Sequence, residues 1–218
     1  MDAILESFQH LLDPDWIMQN GGLYLVLLIL FIETGVFFGF FLPGDPLLFV
    51  SGMVIATADE AYPFSSEIVN LLFWMLLFMG STISGYFLGY WTGNKFSHVF
   101  NRKEDTWFLK RKHMDAGNEF YASKGGFAIT IARFLPIVRT FAPIVAGTVK
   151  MDYKKFVFFN VVGAVIWVGV LTSLGYILGD NPWVKSNLEY VILGIVLLVT
   201  LPVIVKLIFK KKKTVNEL

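Results

Sequence analysis

Six long apolar stretches constrain what this 218-residue chain can fold into. They cover residues 22–42, 44–57, 68–94, 126–149, 156–179 and 188–209. A helix needs about 20 apolar residues to cross about 30 Å of hydrocarbon. The third, fifth and sixth stretches meet that length. The first is broken by Pro43-Gly44-Asp45, and the second is too short to span. The fourth holds Arg133, Pro136, Arg139 and Pro143, a poor set for a lipid-facing helix. Hydrophobic residues make up 56% of the chain and charged residues 16%, against roughly 45–50% and 25% in soluble domains. A soluble core of this size cannot hide that surplus. The expected fold is an all-α membrane protein, one integral membrane domain over residues 1–218.

Charge sets the expected topology. Residues 95–125, 150–155 and 206–213 together hold 15 of the 18 basic residues, and cytoplasmic loops carry the excess of Lys and Arg. These three regions are therefore assigned inside, including the basic tail 210–218. Loop 180–187, with Lys185, and the acidic loop with Asp59, Glu60 and Glu67 are assigned outside. Stretch 126–149 then begins and ends on the same side, so it must enter the membrane and turn back. Pro136 and Pro143, which lack an N–H, suit such a broken hairpin. Non-helical backbone at membrane depth requires cover by protein or a wet cavity. The same logic makes 22–57 re-entrant and puts the N-terminus outside. The alternative is a full span at 22–42, with the N-terminus inside. Segment 1–21 has no Lys or Arg, hence no signal-peptide leader, and its face of Ile4, Leu5, Phe8, Leu11 and Leu12 suits an interfacial helix. Segment 95–125 is read as amphipathic or as a solvated loop.

The hairpins resemble each other. Phe41-Leu42-Pro43 precedes Asp45 and closes with Ser51-Gly52; Phe134-Leu135-Pro136 precedes Arg139 and closes with Ala146-Gly147. The helices that follow carry LGYWTG at 88–93 and LGYILG at 174–179. Repeat one is set at 22–94 and repeat two at 126–179, with 188–209 as one extra C-terminal transmembrane helix. Entry from opposite sides makes them inverted repeats, an architecture of secondary transporters.

Four ionisable residues lie inside apolar stretches: Glu33, Asp45, Arg133 and Arg139. A charge at the bilayer centre costs about 2.5–3.5 kcal/mol on insertion scales, so the four are expected to share one cavity at the hairpin tips. Guanidinium forks bind phosphate at two points, which makes Arg133 and Arg139 candidate phosphate-binding residues. Glu33 and Asp45 are candidates for ion coupling through H⁺ or Na⁺. A purely structural ion-pair cluster is the competing reading.

At these residues the chain resembles the DedA family of bacterial inner-membrane proteins, related to the VTT-domain lipid scramblases. The resemblance rests on FIETGVFFGFFLPGD, on GGFAITIARFLPIVRTFAPIVAG, on HMDAGNEFYASKGG before it, and on segment order over residues 20–210. It implies a polyprenyl phosphate flippase, carrying undecaprenyl phosphate for envelope recycling on a proton or sodium gradient. By position it places the family's functional acids on Glu33 and Asp45 and its functional arginines on Arg133 and Arg139. An energy-independent phospholipid scramblase and a non-transporting membrane-organising protein are the alternatives. A lipid phosphatase lacks a His or Asp nucleophile beside the arginines.

Other motifs add little. Gly85, Gly89 and Gly93 are spaced for close helix approach, first within the chain and second as a homodimer face. Ser81, Thr82 and Ser84 are expected to bond to carbonyls of their own helix. Gly21-Gly22 and Gly125-Gly126 read as entry turns before the hairpins. His10, His98 and His113 make no metal-ligand pattern, and no Walker loop, HExxH or Ser-His-Asp order appears. Cysteine is absent, which excludes disulfides and thiolate sites. A net charge of +1 gives no support to a nucleic-acid partner. No cofactor and no enzymatic activity are expected.

Overall fold

The computed structural model describes residues 14–36, 39, 42–57, 63–95, 97, 125–188, 190, 191, 193, 194 and 197. Segment 1–13, the loop acids Asp59 and Glu60, nearly all of segment 95–125, most of 188–209 and the tail 210–218 lie outside the described residues, as do the three histidines. The helices are α1 (Pro14–Gln19), α2 (Gly22–Gly35), α3 (Gly44–Thr57), α4 (Glu67–Lys95), α5 (Phe127–Ala132), α6 (Pro136–Thr148), α7 (Tyr153–Leu178) and α8 (Pro182–Ser186). No strand occurs among the described residues.

Two of these helices, α4 and α7, are long and apolar enough to cross a membrane. In both, charge is confined to the ends: Glu67 and Lys95 on α4, Lys154 and Lys155 on α7. Ile68, Leu72 and Leu76 line up four residues apart on α4 and are exposed. On α7 the exposed set includes Val161, Val165, Ile166 and Val170. Apolar side chains presented outward along one face need an apolar solvent. Asp152 caps α7 by accepting from the Lys155 N–H at 2.9 Å.

The apolar stretches break where the chain cannot stay helical, and two breaks differ from expectation. The first stretch ends its helix at Gly35 rather than running to 42. Beyond it Gly39 lies so close to the Ile32–Glu33 backbone that no Cβ fits, and the chain turns back into α3. In the fourth stretch only Pro136 acts as a breaker. Pro136 opens α6 at its first turn, where a missing N–H is harmless. Pro143 sits inside α6, which continues past it. Residues 180–187 were expected as loop, but Pro182–Ser186 form a short helix capped by Asn181. Gly21, Gly22 and Gly125 have φ of 130°, 59° and 58° and supply the turns before the two hairpins.

Packing exchanges partners between the two halves. Helix α2 packs on α4 and α5 packs on α7, each within its own half. The second short helices cross over: α3 packs on α7 and α6 on α4. Glycines make those crossings. A Cβ on Gly52 would meet the Thr172 carbonyl and Gly175, and one on Gly147 would meet the Tyr90 carbonyl and Asn94. Gly175 and Gly179 face α3, as Gly89 and Gly93 face α6. The two LGY strings are thus the crossing points. Tyr90 and Tyr176 both use their hydroxyls as donors, to the Met151 carbonyl at 2.6 Å and to Glu67 at 3.2 Å.

Gly85 faces Thr34 and Gly35 of α2, so the whole 85–89–93 series is used within the chain. Thr82 and Ser84 bond to carbonyls of their own helix, but Ser81 donates to the Leu27 carbonyl of α2 at 2.6 Å. Close glycine contact brings α2 within reach of that hydroxyl, which overrides the local bond.

Candidate functional site

Six helices each aim a side chain at one buried region. Glu33 lies in the last turn of α2 and Asp45 in the first turn of α3. Tyr86 comes from α4, Arg133 caps the C-terminus of α5, Arg139 belongs to the start of α6, and Asn160 and Trp167 come from α7. The four charged groups are 0% (Glu33), 9% (Asp45), 1% (Arg133) and 4% (Arg139) exposed.

Arg139 binds both acids at once. Its Nη1 donates to Asp45 Oδ1 and its Nη2 to Glu33 Oε1. The second Asp45 contact is neutral: Trp167 Nε1 donates to Oδ1 at 2.8 Å. Gly44 backs onto the Glu33 carboxylate with no room for a Cβ. The local fold explains part of this arrangement. Asp45 at a helix N-terminus is favoured by the backbone dipole, whereas Glu33 at a C-terminus and Arg139 near an N-terminus are not. Their mutual contact offsets that cost.

Arg133 is held differently. Its Nη2 donates to Asn160 Oδ1 at 2.5 Å, and the Asn160 amide is in turn anchored on the Ile83 carbonyl at 3.3 Å. The guanidinium carbon lies 3.8 Å from the Tyr86 ring centroid. Trp167 stands between the two arginines, 5.9 Å from Arg133 and 5.1 Å from Arg139. Gly163 leaves space for the Arg133 stem, where a Cβ would lie 2.9 Å from Cδ. Among the described residues the two acids therefore pair with Arg139 and not with Arg133. Arg133 is buried with neutral partners.

The region also concentrates unsatisfied polar atoms. Among the described residues, Glu33 Oε2, Tyr86 Oη, Arg133 Nε and Nη1, Arg139 Nε, Thr140 Oγ1 and Thr172 Oγ1 are buried with no protein partner. Buried polar groups in native proteins are nearly always hydrogen-bonded. The exceptions on Glu33, Arg133 and Arg139 leave hydrogen-bonding capacity on charged groups that the protein itself does not fill. No group of three or more His, Asp or Glu side chains placed to hold a metal ion occurs among the described residues.

The VTT domain pattern matches residues 25–177. Protein DedA of Escherichia coli K12 is 37% identical over 214 residues, covering 97% of this chain and 94% of that protein. The chain belongs to the DedA family of VTT-domain membrane proteins. The inner membrane protein YqjA of the same strain is 35% identical over 180 residues, 81% of this chain and 76% of YqjA. An uncharacterized membrane protein of Mycobacterium tuberculosis H37Rv is 34% identical over 211 residues, 94% of this chain and 89% of that protein. No solved structure matches the chain. The latter two relatives are named as membrane proteins.

Sequence reasoning selected the four charges and missed Tyr86, Asn160 and Trp167. A signal was present for two of them. Asn160 is an amide inside an apolar span, where polar side chains serve as interhelical contacts. Trp167 lies near the middle of α7, away from the interfacial positions that Trp prefers.

Proposed function

We propose that this DedA-family chain is a secondary transporter that moves a polyprenyl phosphate, such as undecaprenyl phosphate, across the bacterial inner membrane. The observation that carries the reading is Arg133: a buried guanidinium without an acidic partner among the described residues, next to the Arg139–Glu33–Asp45 cluster. A structural brace explains the cluster but leaves Arg133 unexplained, since an unpaired buried cation is costly. A phosphate supplies Arg133 with a direct anionic partner, and the prenyl tail stays in lipid.

Coupling follows from charge balance. Glu33, Asp45, Arg133 and Arg139 sum to zero when all are ionised. A bound phosphate adds negative charge to a buried site. Taking up H⁺ or Na⁺ at Glu33 or Asp45 restores the balance and loosens the grip on Arg139, which then joins Arg133 on the phosphate. The exchanged packing of α3 and α6 supports reading the halves as inverted repeats, each a re-entrant hairpin plus a span. Rocking one half against the other would expose the site to each leaflet in turn, with the C-terminus cytoplasmic.

The test is movement of labelled polyprenyl phosphate in vesicles holding the purified protein, with and without an imposed ion gradient. Arg133→Gln is expected to stop movement while the protein still inserts and melts normally. Normal movement by this variant removes the mechanism. Movement that continues at full rate after the gradient collapses replaces coupled transport with scrambling.

A further inference from the structure

Tyr86 has no role in the transport scheme above, yet it is the most completely enclosed polar aromatic beside the site. It is 0% exposed, and its hydroxyl has no partner among the described residues. Its neighbours are charged: the phenol lies within electrostatic reach of Arg133, Arg139 and Glu33. The ring face carries the Arg133 guanidinium at 3.8 Å. That contact uses the π-face of the ring and not the hydroxyl. A buried tyrosine normally finds a partner for its O–H, and the other two tyrosines at helix crossings, Tyr90 and Tyr176, do so. A cation–π contact needs only a ring, which phenylalanine supplies, and this chain has 22 phenylalanines. The hydroxyl therefore requires its own explanation.

We propose that Tyr86 is an anion ligand: its O–H and the free Nε and Nη1 of Arg133 together bind a phosphoryl headgroup. This rests on the transport reading for the identity of the anion. Three groups converge on the assignment. Arg133 offers two unused N–H donors. Asn160 holds the third guanidinium nitrogen and fixes the direction of the fork. Tyr86 supplies a neutral donor against the same guanidinium. A neutral donor beside a cation accepts an anion without adding charge to the empty site. Phosphoryl oxygens, with several lone pairs, can take all three donors at once, whereas a single hydroxyl cannot. The ligand class is thus a phosphomonoester or phosphodiester rather than an alcohol or a neutral lipid.

Tyr86→Phe separates this role from packing. It keeps the ring, the cation–π contact and the volume, and removes only the oxygen. Binding is measured on the purified full-length protein in detergent, by the ligand-induced rise in melting temperature and by titration calorimetry. The probes are geranyl phosphate, geraniol and inorganic phosphate. The expected result is that the empty variant melts at or above the parent temperature, because an unsatisfied buried hydroxyl is gone. Its affinity for geranyl phosphate falls by roughly tenfold, the worth of one hydrogen bond to a charged group. Geraniol should shift neither protein. A response to inorganic phosphate equal to that for geranyl phosphate assigns the site to free anions; a stronger response to geranyl phosphate assigns it to lipid headgroups.

Arg133→Gln, tested in parallel, keeps the two readings apart. Loss of binding in Arg133→Gln with unchanged affinity in Tyr86→Phe overturns the tyrosine assignment and leaves the transport reading intact. Unchanged affinity in both overturns both. A Tyr86→Phe protein that melts well below the parent shows that the hydroxyl has an internal partner, which also overturns the assignment.

Discussion

Two arginines six residues apart in sequence sit in opposite electrostatic settings. Arg139 faces two carboxylates and an indole; Arg133 faces an amide and two aromatic rings. Both are buried, so burial alone does not explain their difference. The Arg139 end pairs one cation with two carboxylates and links α2, α3 and α6 across the two halves. At the Arg133 end one guanidinium nitrogen bonds a neutral amide and two have no protein partner among the described residues. A site needs both kinds of region: one that holds the fold when empty, and one that has bonding capacity left to use.

The largest test of this contrast is Arg139→Ala. It leaves Glu33 and Asp45 buried together without a cation, and removing one partner of such a cluster costs about 3–5 kcal/mol. Its melting temperature in detergent should drop far below that of Arg133→Gln. Equal losses would erase the distinction between the two ends. Trp167→Phe comes next. It keeps an aromatic ring between the arginines and deletes the donor to Asp45, a bond to a charged group worth about 1.5–3 kcal/mol. The loss should show in the same melting experiment. Combining it with Asp45→Asn should give less than the sum of the two, because they share one hydrogen bond.

Asn160→Asp sharpens the comparison by making the second end like the first. It puts a carboxylate where the amide now accepts from Arg133 at 2.5 Å. The expected gain in stability is small, about 1 kcal/mol, since an already buried cation acquires a partner. The functional loss should be complete: with its charge satisfied inside the protein, Arg133 no longer draws an anion, and vesicle transport stops. Transport at the parent rate would show that the neutral setting of Arg133 is incidental.

Much of the architecture was legible because it is written in strong signals. Pro43-Gly44-Asp45 placed the start of α3, and α3 ends at Thr57, as the apolar stretch 44–57 does. The long apolar runs of α4 and α7 were equally plain. The early end of α2 at Gly35 was not, because Phe and Gly over 37–41 keep the composition apolar. Nor was the continuity of α6 through Pro143, because a proline is tolerated where tertiary packing holds the helix on both sides. In the site, charges stood out against apolar surroundings and could be picked one by one. Their partition could not be: which acid meets which arginine depends on helix crossings set by Gly52, Gly147 and their neighbours. Tyr86, Asn160 and Trp167 are neutral, and a neutral polar residue in a span does not announce what it touches.

Pro143 gives that partition a mechanical side. In an unbroken α-helix the N–H of residue 143 would close on the carbonyl of residue 139, and proline cannot supply it. The turn carrying Arg139 is thereby released from the ladder of bonds that stiffens the rest of α6. On the transport reading proposed above, this missing rung is where α6 bends, so that the guanidinium leaves its carboxylates while the helix stays seated against α4 and the latch opens without the door frame moving.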